Sequence, residues 1–382
     1  MLALIVSALP HLAVPSNPQH MDQARAFLRG SVWIDTPTVP HDLGEIGGKW
    51  YSPFPPLPAF VAAAAIALSP RPDLVYNLTV LAAALGAAAL SFLVGWRLGG
   101  ATAAAWAAVA LGLGSGLWTA TVLHDTYHSA HVFAVLAFLA ALAAVTSRHP
   151  SWFLAGALVG AAALARQPVV LGAPFLLVFA RPGRRLRAAT ALLLGVALPV
   201  SLYLGLNLAR FGSVLTTGYA QIHHHQRIIG DAAAHGAFSI TYLPRNVAVA
   251  LAGMPRVTSA FPYVVPDPNG LALWLVSPWL LLALLPLARP DRPPERRLAI
   301  ALLLGSLAIA VPHLLYVNTG WVQFGARFAL DETPLLLVAA LLAVRRVVPP
   351  LAWGAVGWAV TVHLWGYIAL VTWPRWSPLL PG

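Results

Sequence analysis

Long stretches without any charged residue constrain this chain more than any other feature. Eight of them reach or exceed the length of about 20 apolar residues that a membrane helix needs. They contain no Asp, Glu, Lys or Arg and cover residues 50–70, 74–96, 98–124, 126–147, 188–209, 268–288, 298–326 and 347–374. A soluble core does not require such runs repeated along most of a sequence, so the pattern predicts a polytopic membrane protein.

The composition excludes the main soluble alternatives. Of the 382 residues, 59% are apolar and 9% are charged, whereas an ordinary soluble domain carries about 25% charged residues. A soluble acid-balanced enzyme, a coiled coil or a disordered chain would each need far more charge. The absence of Cys excludes disulfides, thiolate metal sites and thiol catalysis. The formal charge of +11 comes from basic clusters between apolar runs, which favours membrane topology signals over a nucleic-acid partner.

We therefore expect an all-α fold, a polytopic transmembrane helical bundle of about 10–12 membrane segments, forming a single integral membrane domain over residues 1–382. The apolar run 152–180 is broken at Arg166-Gln167-Pro168, which predicts two short helices and a tight turn. Residues 1–14 are expected to be a short or truncated anchor helix. Two long external loops are predicted, residues 15–52 with an amphipathic interfacial helix and residues 211–269.

Short basic clusters predict the orientation in the membrane, because cytoplasmic loops are enriched in Lys and Arg. The clusters are Arg148, the arginines of 181–187, those of 289–297, and the pair Arg345 and Arg346. If they are cytoplasmic, the opposite face carries the segments 15–52, 124–131, the Arg166 turn, 211–269 and 318–332. Strict alternation then fails by one crossing between residues 52 and 97, so at least one helix there is expected to be broken, re-entrant or miscounted.

Most acidic residues fall on that opposite face. Nine of the 12 acids lie in these segments, namely Asp22, Asp35, Asp42, Glu45, Asp125, Asp231, Asp267, Asp331 and Glu332. One interpretation is that long loops simply need solvated charges. The other is a polar, carboxylate-bearing chamber at one membrane surface.

Two polar motifs could contribute to such a chamber. Lys49 is the only Lys of the chain and precedes a proline-rich entry into the second apolar run, where a compact ammonium could bind phosphate. His124, His128 and His131 follow i, i+4, i+7 spacing beside Asp125. On one helical face these imidazoles could bind a divalent metal, hydrogen-bond a sugar or cap the next helix. The three histidines 223–225 are expected to form a solvated basic turn.

Several motifs, taken in order, resemble those of the type C polytopic glycosyltransferases (GT-C), which include protein O-mannosyltransferases and aminoarabinose transferases. An Asp-bearing loop follows the first helix, and Gly-Lys-Trp-Tyr-Ser-Pro-Phe-Pro-Pro-Leu-Pro (48–58) leads into the second. The resemblance continues through Leu-Ala-Arg-Gln-Pro (164–168), Asn-Leu-Ala-Arg-Phe-Gly (207–212) with Thr217-Gly218-Tyr219, and Gln-Phe-Gly-Ala-Arg-Phe (323–328) before Asp331. It therefore covers most of the chain.

The resemblance implies sugar transfer from a polyprenyl-phosphate donor to an unknown acceptor, a glycan, lipid or protein, on the non-cytoplasmic side of a bacterial inner membrane. An acidic residue of the first loop would take the acceptor proton. Asp22 and Asp42 are both candidates, and the sequence leaves the choice open. The remaining candidates are substrate-binding residues, with the cations on the phosphate: Lys49, Tyr51, His124, Asp125, His128, Arg166 and Arg327. No cofactor is required, although a divalent metal could assist.

A different class of function also fits part of the pattern. The broken helix at Arg166 and the proline-rich entry could form the gate of a transporter or lipid flippase. Such transporters are often built from inverted repeats, and no convincing repeat relates the two halves of this sequence. A third possibility is an inactive scaffold that retains the fold.

Overall fold

The computed structural model describes residues 1–222, 226–289, 291–320, 322–345 and 349–372. The basic turn predicted at 223–225 and Arg346 of the predicted basic pair lie outside these residues. Five of the described helices are long and apolar enough to cross a membrane, and six shorter apolar helices accompany them. The all-helical membrane fold class is thereby confirmed, and the chain is an integral membrane protein.

The helices and strands are numbered in chain order. The α-helices are α1 (Leu2–Ala8), α2 (Pro18–Leu28), α3 (Leu57–Leu68), α4 (Pro72–Gly112), α5 (Leu117–Leu123), α6 (Thr126–Val145), α7 (Trp152–Ala163), α8 (Arg185–Phe211), α9 (Gln226–His235), α10 (Leu243–Ala252), α11 (Leu273–Val276), α12 (Pro293–Leu314), α13 (Thr333–Val344) and α14 (Pro349–Val371). The 3-10 helices are Leu9–His11, Gln167–Phe179, Pro182–Arg184, Tyr219–Gln221, Ile240–Tyr242, Pro278–Ala288 and Arg327–Leu330. Two short antiparallel hairpins pair β1 (Gly44–Ile46) with β2 (Lys49–Tyr51), and β3 (Arg256–Val257) with β4 (Val264–Val265).

Glycines allow α7 and α8 to pack closely. A Cβ atom on Gly156 would lie 2.0 Å from the carbonyl oxygen of Leu192, and one on Gly195 would lie 2.1 Å from that of Phe153. Small residues of this kind let helix backbones approach in a membrane, where packing drives association. This contact fixes the position of α7. The break predicted at Arg166 is observed, because α7 ends just before Arg166 and the helix Gln167–Phe179 begins just after it.

The helix α3 explains why strict alternation of membrane crossings fails between residues 52 and 97. Its first amide, from Leu57, donates to the carbonyl of Leu164 at the end of α7 (2.8 Å). The next helix, α4, starts at the same end of the bundle, because its Tyr76 hydroxyl contacts His20 of α2 (3.1 Å) and Ser129 near the start of α6 (3.0 Å). Both ends of α3 therefore lie on one side, and α3 does not cross.

The chain reverses direction within α4. Gly100 has a φ of 79° and ψ of −167°, which breaks the helix into segments 72–99 and 101–112. A Cβ on Gly95 would lie 2.8 Å from the carbonyl oxygen of Ala103, so the two segments pack against each other. Positive φ favours glycine, which has no Cβ to clash. The two apolar runs 74–96 and 98–124 are thus antiparallel to each other and joined near one glycine.

The two long loops meet above the bundle. The hairpin of β1 and β2 turns at Gly47 and Gly48, whose φ values are 60° and 74°. Gly44 of β1 forms a bridge with Ile222 of the second loop. The helix α2 occupies the segment where the sequence predicts an interfacial helix, but seven of its residues are buried against the bundle, polar ones included. This packing holds the first loop over the start of α6.

Candidate functional site

A cavity of about 460 Å³ opens where the long loops meet the helix ends. Its size falls in the range of small-molecule sites, about 300–1,000 Å³. The residues that line it include His20, His41, Asp42, Phe54, Thr126, Tyr127, Arg166, Gln167, Tyr203, Tyr219, Phe238, His313, Tyr316, Asn318, Arg327 and Phe328. Every segment that the sequence assigns to the non-cytoplasmic face contributes to this cavity, so those five segments share one end of the bundle.

A buried ion pair lies beneath the cavity. Asp331 is fully buried and its Oδ2 accepts from Nε of Arg166 at 3.0 Å, while its Oδ1 is 2.6 Å from Nδ1 of His131. Nε2 of His313 is 3.1 Å from the same Oδ2. Burial opposes ionisation, but Arg166 and His131 outweigh it and hold the pKa of Asp331 well below its usual range. The charge of Arg166 is therefore neutralised by Asp331.

The adjacent acid behaves differently. Burial, together with the charge of Asp331, raises the pKa of Glu332 well above its usual range. Its Oε2 is buried without a hydrogen-bond partner and lies 3.9 Å from Nδ1 of His313. This direction favours the protonated form of Glu332, and the residue does not line the cavity.

Removing Asp331 should destabilise the fold. In Asp331→Ala, Arg166 and two imidazoles lose their buried partner, and breaking such a pair costs about 3–5 kcal/mol. The unfolding temperature, followed by Trp fluorescence in detergent, should fall clearly. The control is Asp231→Ala, which removes the half-exposed pair with Arg245 (2.8 Å) and should cost less than about 1 kcal/mol. Equal shifts in the two variants would contradict a structural role for the buried pair.

Arg327 is the second guanidinium at the cavity, and it is unpaired. It is 8% exposed and forms no ion pair within 4.0 Å among the described residues. Its guanidinium lies over the rings of Tyr127 (5.5 Å) and Phe328 (5.2 Å), and its Nε has no hydrogen-bond partner. Burial lowers the pKa of Arg327 from its ordinary value, yet an arginine stays charged at neutral pH. An unpaired buried cation of this kind is suited to an anionic ligand.

Asp42 is the one carboxylate that lines the cavity within the described residues. It has a φ of 61°, an uncommon backbone conformation that Asp tolerates better than most residues. The Nε2 of His41 is 3.2 Å from its Oδ2. Gln19 anchors this turn, because its Nε2 donates to the carbonyl of His41 (3.3 Å) and to the Tyr127 hydroxyl (3.4 Å). The loop thus holds Asp42 against α6.

Asp22 has a different environment. It is 5% exposed and does not line the cavity. Its carboxylate accepts from the Thr38 amide (2.6 Å), the Thr38 hydroxyl (2.9 Å) and Nη1 of Arg25 (3.0 Å). The two bonds from Thr38 tie α2 to the following loop, and the bond from Arg25 lies within α2. The two acids that the sequence left as alternatives therefore occupy different positions.

Lys49 and Tyr51 lie away from the cavity. The tight turn at Gly47 and Gly48 carries Lys49 outward, where its Nζ lies 3.7 Å from the ring centroid of Trp33. The Tyr51 ring packs on Phe211 at 5.6 Å. Of the three cations predicted to bind the phosphate, the cavity brings together Arg166 and Arg327, and the hairpin places Lys49 outside it.

A helix break interrupts the predicted imidazole face. His124 has a φ of 31° and ends α5, so a helix break separates it from the next histidines. Asp125 caps α6 by accepting from the amides of Tyr127 and His128 (both 2.9 Å), and it also contacts Nδ1 of His128 (2.8 Å). No group of three His, Cys, Asp or Glu residues in the described part of the chain could hold a metal ion. His124, Asp125 and His128 do not line the cavity.

Several residues that line the cavity were not candidate site residues on sequence grounds, among them His313, Gln167, Tyr219, Tyr316 and Asn318. A signal existed for His313, because an ionisable residue inside an apolar run of a membrane protein is a functional candidate. Gln167 and Tyr219 lie in motifs that carry the family resemblance. No comparable signal marks Tyr316, since aromatic residues are common at membrane interfaces.

The whole fold resembles one solved membrane enzyme. ArnT from Cupriavidus metallidurans, an aminoarabinose transferase of the GT-C type, matches 100% of this chain with a TM-score of 0.58 and 18% sequence identity. The chain spans 65% of the length of that solved chain. No protein family model and no curated protein matches the sequence. The chain thus shares the fold of ArnT, in line with the resemblance seen in the sequence, and at this identity the similarity concerns the fold alone.

Proposed function

We propose that this protein is a membrane glycosyltransferase that moves a sugar from a polyprenyl-phosphate donor to an acceptor hydroxyl on the non-cytoplasmic side. The acceptor would be a glycan, a lipid or a protein. The observation that carries the proposal is the joint presence of an unpaired guanidinium, Arg327, and a carboxylate, Asp42, in one cavity among apolar helices. The GT-C fold supports the same reaction class.

The two residues would act on opposite ends of the reaction. Asp42 would accept the proton of the acceptor hydroxyl while the hydroxyl oxygen forms a bond to the anomeric carbon. The bond between that carbon and the phosphate oxygen breaks, and its electron pair leaves with the polyprenyl phosphate. Arg327 would stabilise the charge that grows on the phosphate. One proton reaches Asp42 and one negative charge reaches the phosphate, so the step is balanced.

Arg166 supports the same step from a fixed position. Its Nη2 lies 3.3 Å from Nε2 of His313, and its Nε is held by Asp331. Because this guanidinium cannot swing freely, it would present its remaining N–H groups to the phosphate without a large reorganisation. The geometry also favours Asp42 over Asp22 as base, since a base must reach the reacting hydroxyl and Asp22 is occupied by three hydrogen bonds.

A direct assay tests the proposed reaction. Purified protein in lipid nanodiscs would be incubated with labelled polyprenyl-phosphate sugars and an envelope extract as the acceptor source. We expect release of free polyprenyl phosphate together with transfer of label to the extract. If no donor of the panel releases its lipid phosphate, while the protein remains folded by Trp fluorescence, the proposed function is wrong.

Lys49→Ala tests whether Arg166 and Arg327 bind the phosphate without Lys49. Because Lys49 lies over Trp33 and outside the cavity, its removal should change turnover by less than about twofold, in line with a surface residue. Turnover and donor KM would be measured side by side with the unmodified protein. A loss of a hundredfold or more would place Lys49 on the phosphate and contradict the two-arginine arrangement.

A further inference from the structure

The carboxyl groups near the cavity differ in whether they line it. Five carboxyl groups lie around it, Asp22, Asp42, Asp125, Asp331 and Glu332. Four of them do not line the cavity and have other environments. One is held by the first loop, one caps α6, one pairs with Arg166 and one is buried with a raised pKa. Among the residues that the structure describes, Asp42 is therefore the one carboxylate in the cavity lining that a ligand can contact.

On the basis of the proposed function, we infer that the transferred sugar is uncharged, a neutral hexose or pentose without an amino or carboxyl group. A donor of the polyprenyl-phosphate type carries one negative charge on its phosphodiester, and Arg327 is the one unpaired guanidinium that matches it. Asp42 is required as the base. After these assignments the described residues of the lining leave no further charged side chain to pair with a charge on the sugar.

An ammonium group on the sugar would lack a partner. Besides Asp42, the charged and titratable side chains that line the cavity are two guanidiniums, three imidazoles and tyrosine hydroxyls. Burying an unpaired charge in such a site is costly, and the nearby guanidiniums would repel a cation. A uronic acid would face the opposite problem, because its carboxylate and the phosphate would compete for Arg327 while Arg166 stays paired with Asp331.

An aromatic part of the cavity lining suits a neutral sugar. Tyr219 packs edge-on against Tyr316 at 6.0 Å, and Phe238 lies 5.2 Å from Tyr316. Aromatic rings offer apolar faces to the C–H groups of a sugar, and tyrosine hydroxyls offer hydrogen bonds. Burial raises the pKa of Tyr219 to about 12, so its hydroxyl remains a neutral donor. ArnT is named for an aminoarabinose substrate, and this inference separates the present chain from it.

Three donors with the same polyprenyl phosphate and different sugars test the inference: a neutral hexose, 4-amino-arabinose and a uronic acid. We expect kcat/KM for the neutral hexose to exceed that of the other two by at least about tenfold, the effect of one unpaired charge. A preference for the amino sugar or the uronic acid would overturn the inference and leave the glycosyltransferase assignment intact. Release from none of the three would overturn both.

A variant can supply the missing carboxylate. Gln167 lines the cavity, and its Nε2 donates to the Tyr203 hydroxyl at 2.5 Å, a bond that Gln167→Glu can keep with the hydroxyl as donor. In this variant the ratio of amino-sugar to neutral-sugar kcat/KM should rise by about tenfold. Ala233→Asp, on an exposed position of α9, adds the same charge outside the cavity and should leave the ratio unchanged. An unchanged ratio in Gln167→Glu, or an equal rise in both variants, would contradict the inference.

Discussion

Asp42→Asn is expected to lower sugar transfer by about 10²–10⁴-fold, the contribution that a positioned general base typically makes. The amide keeps the shape of the side chain but cannot accept the acceptor proton. Donor binding should change little, because the proposed arrangement assigns the phosphate to Arg327 and not to Asp42. The effect should therefore appear in kcat, measured as release of polyprenyl phosphate at saturating donor, with KM nearly unchanged.

Asp22→Asn is the matched control for this variant. It weakens the hydrogen bonds to Thr38 and Arg25, so the unfolding temperature should fall, whereas the folded fraction should keep most of its turnover. If Asp22→Asn abolished turnover in folded protein and Asp42→Asn did not, the base would be Asp22. Normal turnover in both variants and in the double variant would exclude a carboxylate base of the first loop.

Arg327→Ala is the second variant with a large expected effect. Loss of one fixed donor to a developing anion typically costs about 10²–10³-fold in kcat. Because this guanidinium has no carboxylate partner among the described residues, its removal leaves no buried acid uncompensated, and the fold should remain stable. We therefore expect a large fall in turnover and only a small change in the unfolding temperature.

Two further variants sharpen this result. Arg327→Lys retains the charge but loses the planar fork of donors, so it should recover only part of the turnover. Arg71→Ala removes an exposed arginine just before α4 and should behave like the unmodified protein. If Arg327→Ala kept full turnover, the phosphate would have to bind elsewhere, and the charge count that leads to a neutral sugar would no longer hold.

Much of the fold follows from local properties of the sequence. The uncharged runs are sufficient to predict a helical membrane bundle, and the Pro after Arg166 marks the break that is observed. The helix α3 was less predictable, because its apolar residues look like a span. Its position is decided by contacts of Leu57 and of the following helix, and such long-range contacts leave no periodic signal.

The site was predictable only in part, for the same reason. Arg166 was a candidate because ionisable residues at membrane depth are unusual. Asp42 and Arg327 were candidates because the resemblance to GT-C enzymes implies an acid in the first loop and cations for the phosphate. The partner of Arg166 is Asp331, 165 residues further along the chain, and that pairing decides which arginine is free. The i, i+4, i+7 spacing of His124, His128 and His131 would place them on one face only in an unbroken helix, and His124 ends α5.

The proposed phosphate site can be observed in a structure of the protein in a nanodisc with bound polyprenyl phosphate. We expect phosphate oxygens at hydrogen-bond distance, about 3 Å, from the Arg327 guanidinium, with Asp42 facing the same cavity. Phosphate bound near Lys49 or elsewhere on the surface, with the cavity between Arg327 and Asp42 holding no part of the lipid, would contradict the proposal.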